Sequence, residues 1–163
     1  MIPMTTCPKP PDTVNRMGAS PENPLQGGCL CGAVRFEIGA PAFHTHHCHC
    51  SMCRKCQGAL FPTFAFVNRS DFTVTQGADH LATYDSSPSL HRHFCPTCGS
   101  HIYANAEEDS DHVGFSAGTL DGGANPGPDG EFCHIFWDSR VVWYEPGDSL
   151  PKAAEFDLEK ADG

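Results

Sequence analysis

The sequence predicts a single, mainly β domain built from short antiparallel strands. Three observations carry that expectation. Apolar and polar residues alternate at period two in several short runs, Gly 16 and Pro 14 punctuate them at close intervals, and only one segment has the marks of a helix. At 163 residues the chain is long enough to bury one core.

Residues 1–26 hold six prolines and no periodicity, and read as a loosely attached arm in which Cys7 stands alone. The folded body is expected over 27–151. "AVRFEI" (33–38) alternates cleanly, and "LFPTFAFV" (60–67) is an aromatic run too short for a helix. "FTVT", "LATY", "HRHF", "HIYA" and "VGFSAG" follow as strands, and "EFCHIF" and "VVWYEP" complete the set. Such spacing suits an antiparallel sandwich, barrel or folded-over sheet. The helix candidate is "SMCRKCQG" (51–58), with Ser51 as its cap and Gly58 as its stop. The acidic tail, 152–163, could add one short terminal helix.

Composition narrows the function classes. The net charge is −10, and no Lys or Arg falls between Arg92 and Arg140, so the basic footprint of a nucleic-acid binder is missing. No apolar run approaches the ~20 residues of a membrane helix, and the proline-rich start has no signal-peptide core. A cytoplasmic setting is therefore expected. There, ten cysteines point to metal ligands or thiol chemistry before disulfides.

The cysteines fall into two sets. "CPTCG" (95–99) has the shape of a zinc knuckle, in which a glycine after the second cysteine lets backbone amides turn toward the thiolates. Tetrahedral zinc needs two further ligands, and Cys29 and Cys31 in "CLCG" match Cys95 and Cys98. The resulting clip would close a loop of more than sixty residues and make metal binding part of folding. The second set is Cys48, Cys50, Cys53 and Cys56. Three thiolates can converge from Cys48, Cys50 and the turn carrying Cys53, and the fourth position has four readings: Cys56, one of His46, His47 or His49, an iron–sulfur cluster, or an opening for water or substrate. An open three-thiolate zinc would be a poor hydroxide generator and a good seat for an incoming thiol.

These motifs resemble the glutathione-dependent formaldehyde-activating enzyme (Gfa-like) family, which also includes centromere-protein-V-like proteins. "GGCLCGAVRFE" (27–37), "CHCSMCRKCQGA" (48–59), "FCPTCGSHIY" (94–103), "SAGTLD" (116–121) and "HIFWDSRVVWYE" (134–145) occur in family order. The resemblance implies a Mss4-like zinc-bound β fold, with a structural zinc on Cys29, Cys31, Cys95 and Cys98. It implies a catalytic zinc on Cys48, Cys50 and Cys53, leaving Cys56 outside. The implied activity is that of a carbon–sulfur lyase joining glutathione or a similar small thiol to formaldehyde or another small carbonyl. Arg54 and Lys55 stand as candidate partners for substrate carboxylates, with Arg69 and Arg92 as further cations near the site. Thr119, Asp121 and His134 match family motifs but suit turn, capping or core roles equally. Trp137 and Trp143 are expected in the core. The rival readings are a non-catalytic two-zinc adaptor and a redox sensor using Cys53 and Cys56. The oligomeric state is not legible in the sequence.

Overall fold

A computed structural model describes residues 19–106, 111–127 and 132–156. It is mainly β, as the alternating runs predict. A small antiparallel sheet joins β1 (Leu25–Gly28), β2 (Arg35–Ile38) and β5 (Phe72–Gln76) in the order β1-β2-β5. The larger sheet contains β3 (His44–Cys48), β4 (Thr63–Asn68), β6 (Ala82–Ser87), β7 (Leu90–Phe94), β8 (His101–Asn105), β9 (His112–Ser116) and β10 (Phe132–Ile135). Its strand order is β10-β3-β4-β9-β8-β7-β6.

Period two gives the central strands of the large sheet two different jobs. Ala65 and Val67 of β4, Val113 and Phe115 of β9 and Tyr103 of β8 join Phe36, Ile38 and Phe72 of the small sheet in the main core. Phe36 stacks on Phe72 at 5.3 Å, and Phe72 meets Tyr103 at 4.9 Å. The intervening residues, including Phe64, Phe66 and Gly114, line a cavity instead. Gly114 is needed there, because a Cβ at that position would come within 2.8 Å of the Phe66 ring.

Five expectations are corrected. The large sheet is mixed, not wholly antiparallel: β10 pairs parallel with β3, Cys133 opposite His46 and Ile135 opposite Cys48. A strand so distant in sequence arrives by a crossover and is free of the reversal that a hairpin imposes. "VVWYEP" is not a strand. The outer side of β10 is taken by residues 151–153, through His134 N–H to Pro151 O and Ala153 N–H to His134 O, both 2.8 Å. With that edge occupied, 141–146 cannot add to β10. Trp143 is 72% exposed and does not enter the core, while Trp137 is half-buried. The cap of α1 (Ser51–Gln57) is Cys50, whose Sγ accepts from Cys53 N–H, and not Ser51; Gly58 ends the helix at φ 59, as expected. The tail shows no helix over 152–156, and 157–163 lies outside the described residues. Cys7 and most of the arm also lie outside them, although Ala19 and Leu25 are buried in the main core.

Candidate metal centres and the cavity beside them

The described cysteines are all free thiols, and seven of them gather into two clusters. The first is Cys29, Cys31, Cys95 and Cys98, whose Sγ atoms all lie within 4.8 Å of one another. Two tight turns make it. Gly32, at φ 78, donates its N–H to Cys29 O, and Gly99, at φ 76, donates to Cys95 O. Left-handed glycines directly after each Cys pair thus fold the chain back so that amides face sulfur. Val34 N–H reaches Cys29 Sγ at 3.2 Å, and hydrogen bonds from the Ser100 hydroxyl and amide hold the Cys98 thiol down to about 5. The Sγ–Sγ separations of 3.5 Å (Cys29–Cys31) and 3.7 Å (Cys31–Cys95) match the edge of about 3.8 Å of a zinc–thiolate tetrahedron. Four soft donors at these spacings fit zinc.

The second cluster is Cys48, Cys50 and Cys53, also within 4.8 Å of one another. Cys48 ends β3, and Cys53 comes back from the first turn of α1. Neither Cys56 nor any of His46, His47 and His49 joins this group among the described residues. The three histidines are spent elsewhere. His47 Nδ1 bonds Thr63 Oγ1 at 2.8 Å. His49 Nε2 meets His134 Nδ1 at 2.7 Å, and His134 Nε2 is 3.1 Å from Asp148 Oδ1. The carboxylate therefore accepts a hydrogen bond from His134 Nε2–H, leaving Nδ1 to accept from His49. His46 is buried among Phe64, Phe66 and Phe156, and that burial holds its ring neutral, with a pKa down to about 3.

Arg92 is the feature that sequence reasoning undervalued. At 1% exposure it is the largest fully buried side chain among the described residues. Its Nη2 donates to Cys53 Sγ at 3.3 Å and its Nε to Ser86 Oγ at 2.8 Å. The Cys53 thiol is held down to about 5, first by its hydrogen bond with Cys48, against burial, with the Arg92 charge and hydrogen bond adding to the effect. Cys48 is pushed up, first by that same hydrogen bond and then by burial. One cation thus offsets part of the negative charge that three thiolates bring. The only advance signal was a lone arginine at an alternating position of "HRHF".

Arg54 and Lys55 are placed differently. Arg54 donates to the backbone carbonyls of His49 and Ser139, both at 3.2 Å, and so braces the Cys48–Cys50 segment; Lys55 is exposed. Neither lines the cavity. Asp121 pairs with Arg35, and Thr119 Oγ1 donates to Ser116 O at 2.6 Å, so both serve the fold.

The three-thiol cluster stands in the wall of a cavity of about 680 Å³. Phe64 and Phe66 of β4, Leu90 and Arg92 of β7, and Ile135 of β10 form its floor, with Phe136 and Phe156 beside them. Phe136 sits at φ 52, a left-handed conformation that costs an L-residue about 1–2 kcal/mol. Phe156 belongs to the segment read from sequence as tail.

A sequence model described as glutathione-dependent formaldehyde-activating enzyme matches residues 24–139. Among curated proteins, a Podospora anserina relative is 38% identical over 120 residues, 72% of this chain and 49% of its own length. A Fusarium vanettenii relative is 29% identical over 122 residues, 75% of this chain and 58% of its own length. Both bear the name "Putative glutathione-dependent formaldehyde-activating enzyme". The chain thus spans about half the length of the curated relatives it matches. A crystal structure of a Rhodobacter sphaeroides protein superposes with a TM-score of 0.52 at 28% identity, covering 60% of this chain and 89% of the other. With more than half of its residues inside the matched region, the chain belongs to the glutathione-dependent formaldehyde-activating enzyme family.

Proposed function

We propose that this protein is a zinc-dependent carbon–sulfur lyase that adds a small thiol to formaldehyde or another small carbonyl compound, or runs that addition in reverse. One observation carries the reading. Cys48, Cys50 and Cys53 converge, no fourth Cys, His, Asp or Glu among the described residues completes the set, and the three face a cavity large enough for an organic substrate. When bound there, zinc would supply the Lewis acidity that keeps an incoming thiol in its nucleophilic thiolate form at neutral pH.

The chain's own residues do the rest. The three cysteines provide soft donors, whose charge disfavours water activation and favours sulfur. Arg92 steadies Cys53 and offsets the charge. The phenylalanine walls limit water, which would otherwise hydrate the carbonyl. In the addition the thiol sulfur bonds to the carbonyl carbon, the carbon–oxygen π pair moves onto oxygen, and the thiol proton ends on that oxygen; nothing is oxidised or reduced. Glutathione is the thiol in the family's name. Contacts between its carboxylates and Arg54 or Lys55 would have to lie outside the cavity. Cys29, Cys31, Cys95 and Cys98 would hold the second zinc as a closed, structural site. Seven reduced cysteine ligands suit the cytoplasm.

Elemental analysis of protein purified without added metal, with formaldehyde consumption followed in the presence of glutathione and of other thiols, tests the proposal. Two zincs per chain, with thiol-dependent consumption, are expected. Two zincs with no turnover for any thiol, with formaldehyde or with benzaldehyde in its place, would return the chain to the non-catalytic adaptor reading, and iron with sulfide would end the zinc assignment.

A further inference from the structure

We propose that the reactants handled at the three-thiol site carry an uncharged aromatic or medium-chain alkyl group, which occupies the cavity. The inference rests on the carbon–sulfur lyase reading and names its substrate class. Formaldehyde has two heavy atoms and would fill roughly a tenth of the cavity's 680 Å³. The remaining space is walled mainly by Phe64, Phe66, Leu90, Ile135, Phe136 and Phe156. The glycine at 114 that admits the Phe66 ring and the left-handed backbone at Phe136 both serve this wall, so the fold gives up local stability to build it.

Charge argues the same way. Arg92 is the sole arginine or lysine among the described lining residues, and two of its five N–H donors are engaged by Cys53 and Ser86. Glutathione brings two carboxylates and one ammonium. A carboxylate buried here would have to share Arg92 with Cys53, in a chain whose net charge is −10. An aryl or alkyl group, by contrast, would gain from every square ångström of the wall. The apolar group can enter on the thiol or on the carbonyl compound. In either case the sulfur–carbon bond forms with the thiol proton passing to the carbonyl oxygen, and no further reactant is needed.

Calorimetric titration of the zinc-loaded full chain with benzyl mercaptan, benzaldehyde, glutathione and formaldehyde tests this without recourse to turnover. At least one aromatic probe is expected to bind tenfold or more tightly than glutathione. Benzyl mercaptan in that position places the group on the thiol, and benzaldehyde places it on the carbonyl partner. Glutathione binding as tightly as both aromatics would overturn the inference and leave the lyase reading standing. Failure of all four to bind would remove both. Leu90→Lys, which adds a cation at the cavity wall, should cut the aromatic-to-glutathione ratio at least fivefold with zinc content unchanged; an unaltered ratio would mean the group does not sit in this cavity.

Discussion

The two cysteine clusters use the same atom for different ends, and their surroundings separate them. The four-thiol cluster sits between two glycine turns, with Cys31 exposed and Cys95 buried, and ties together positions 64 residues apart. Everything it needs is local to the turns, and it leaves no room for a further ligand. The three-thiol cluster is poorer by one sulfur and richer in context: a buried arginine, a neutral histidine and an apolar cavity adjoin it. Ligand count separates closed from open, but the environment decides what the open side can accept.

Breaking one cluster at a time is the most direct way to test that contrast. The largest effect is expected from Cys95→Ser. Metal binding at a closed thiolate site is worth on the order of 10 kcal/mol and is linked to folding. The variant should lose one zinc and its cooperative thermal transition, measured by elemental analysis and circular dichroism. Retention of a normal transition would mean that the clip is dispensable. Cys48→Ser should do the reverse. One zinc is lost and lyase turnover falls at least about 100-fold, while the melting temperature stays within about 5 °C of the parent.

Arg92→Met sharpens the comparison from the cavity side. Removing the guanidinium leaves Ser86 and Cys53 without their buried donor, and about 3 kcal/mol of stability should go, read from urea unfolding. In folded protein emptied of metal at the three-thiol site alone, the pH profile of Cys53 alkylation should shift upward, because the cation that helps hold its thiol near 5 is gone. The clip cysteines should alkylate as before.

The smallest effect concerns His46. Burial keeps its folded pKa near 3 against an ordinary 6.5. The unfolded chain therefore binds a proton that the folded chain refuses, and the stability present above pH 6.5 is lost as pH falls toward 3, at about 1.4 kcal/mol per pH unit. Between pH 7 and pH 5 this amounts to about 2 kcal/mol. His46→Phe, matched to its aromatic neighbours, should remove that increment from the difference in urea unfolding at the two pH values, while the contribution of His49 stays in both proteins. An identical loss in the two would show that His46 is free to take its proton in the fold.

The amino-acid sequence by itself determined the strands and the local turns. Period-two alternation needs only the two faces of a strand, and Cys-x-Cys-Gly and Cys-x2-Cys-Gly need only a left-handed glycine to bring amides to sulfur. The helix stop at Gly58 follows from the same freedom. What the tertiary structure alone decided depends on partners far along the chain. Ser51 loses the cap to Cys50 because the cysteine already turns inward beside Cys53. "VVWYEP" has strand composition yet cannot extend the large sheet at β10, since 151–153 covers that edge. Trp143 stays in solvent for that reason, and Phe156, beyond the expected body, joins the cavity wall. Arg92 reads as one more surface cation until β7 is set between β6 and β8 with its even face toward the thiols. Backbone geometry is encoded within a few residues, whereas burial and a shared cavity are properties of the assembled sheets.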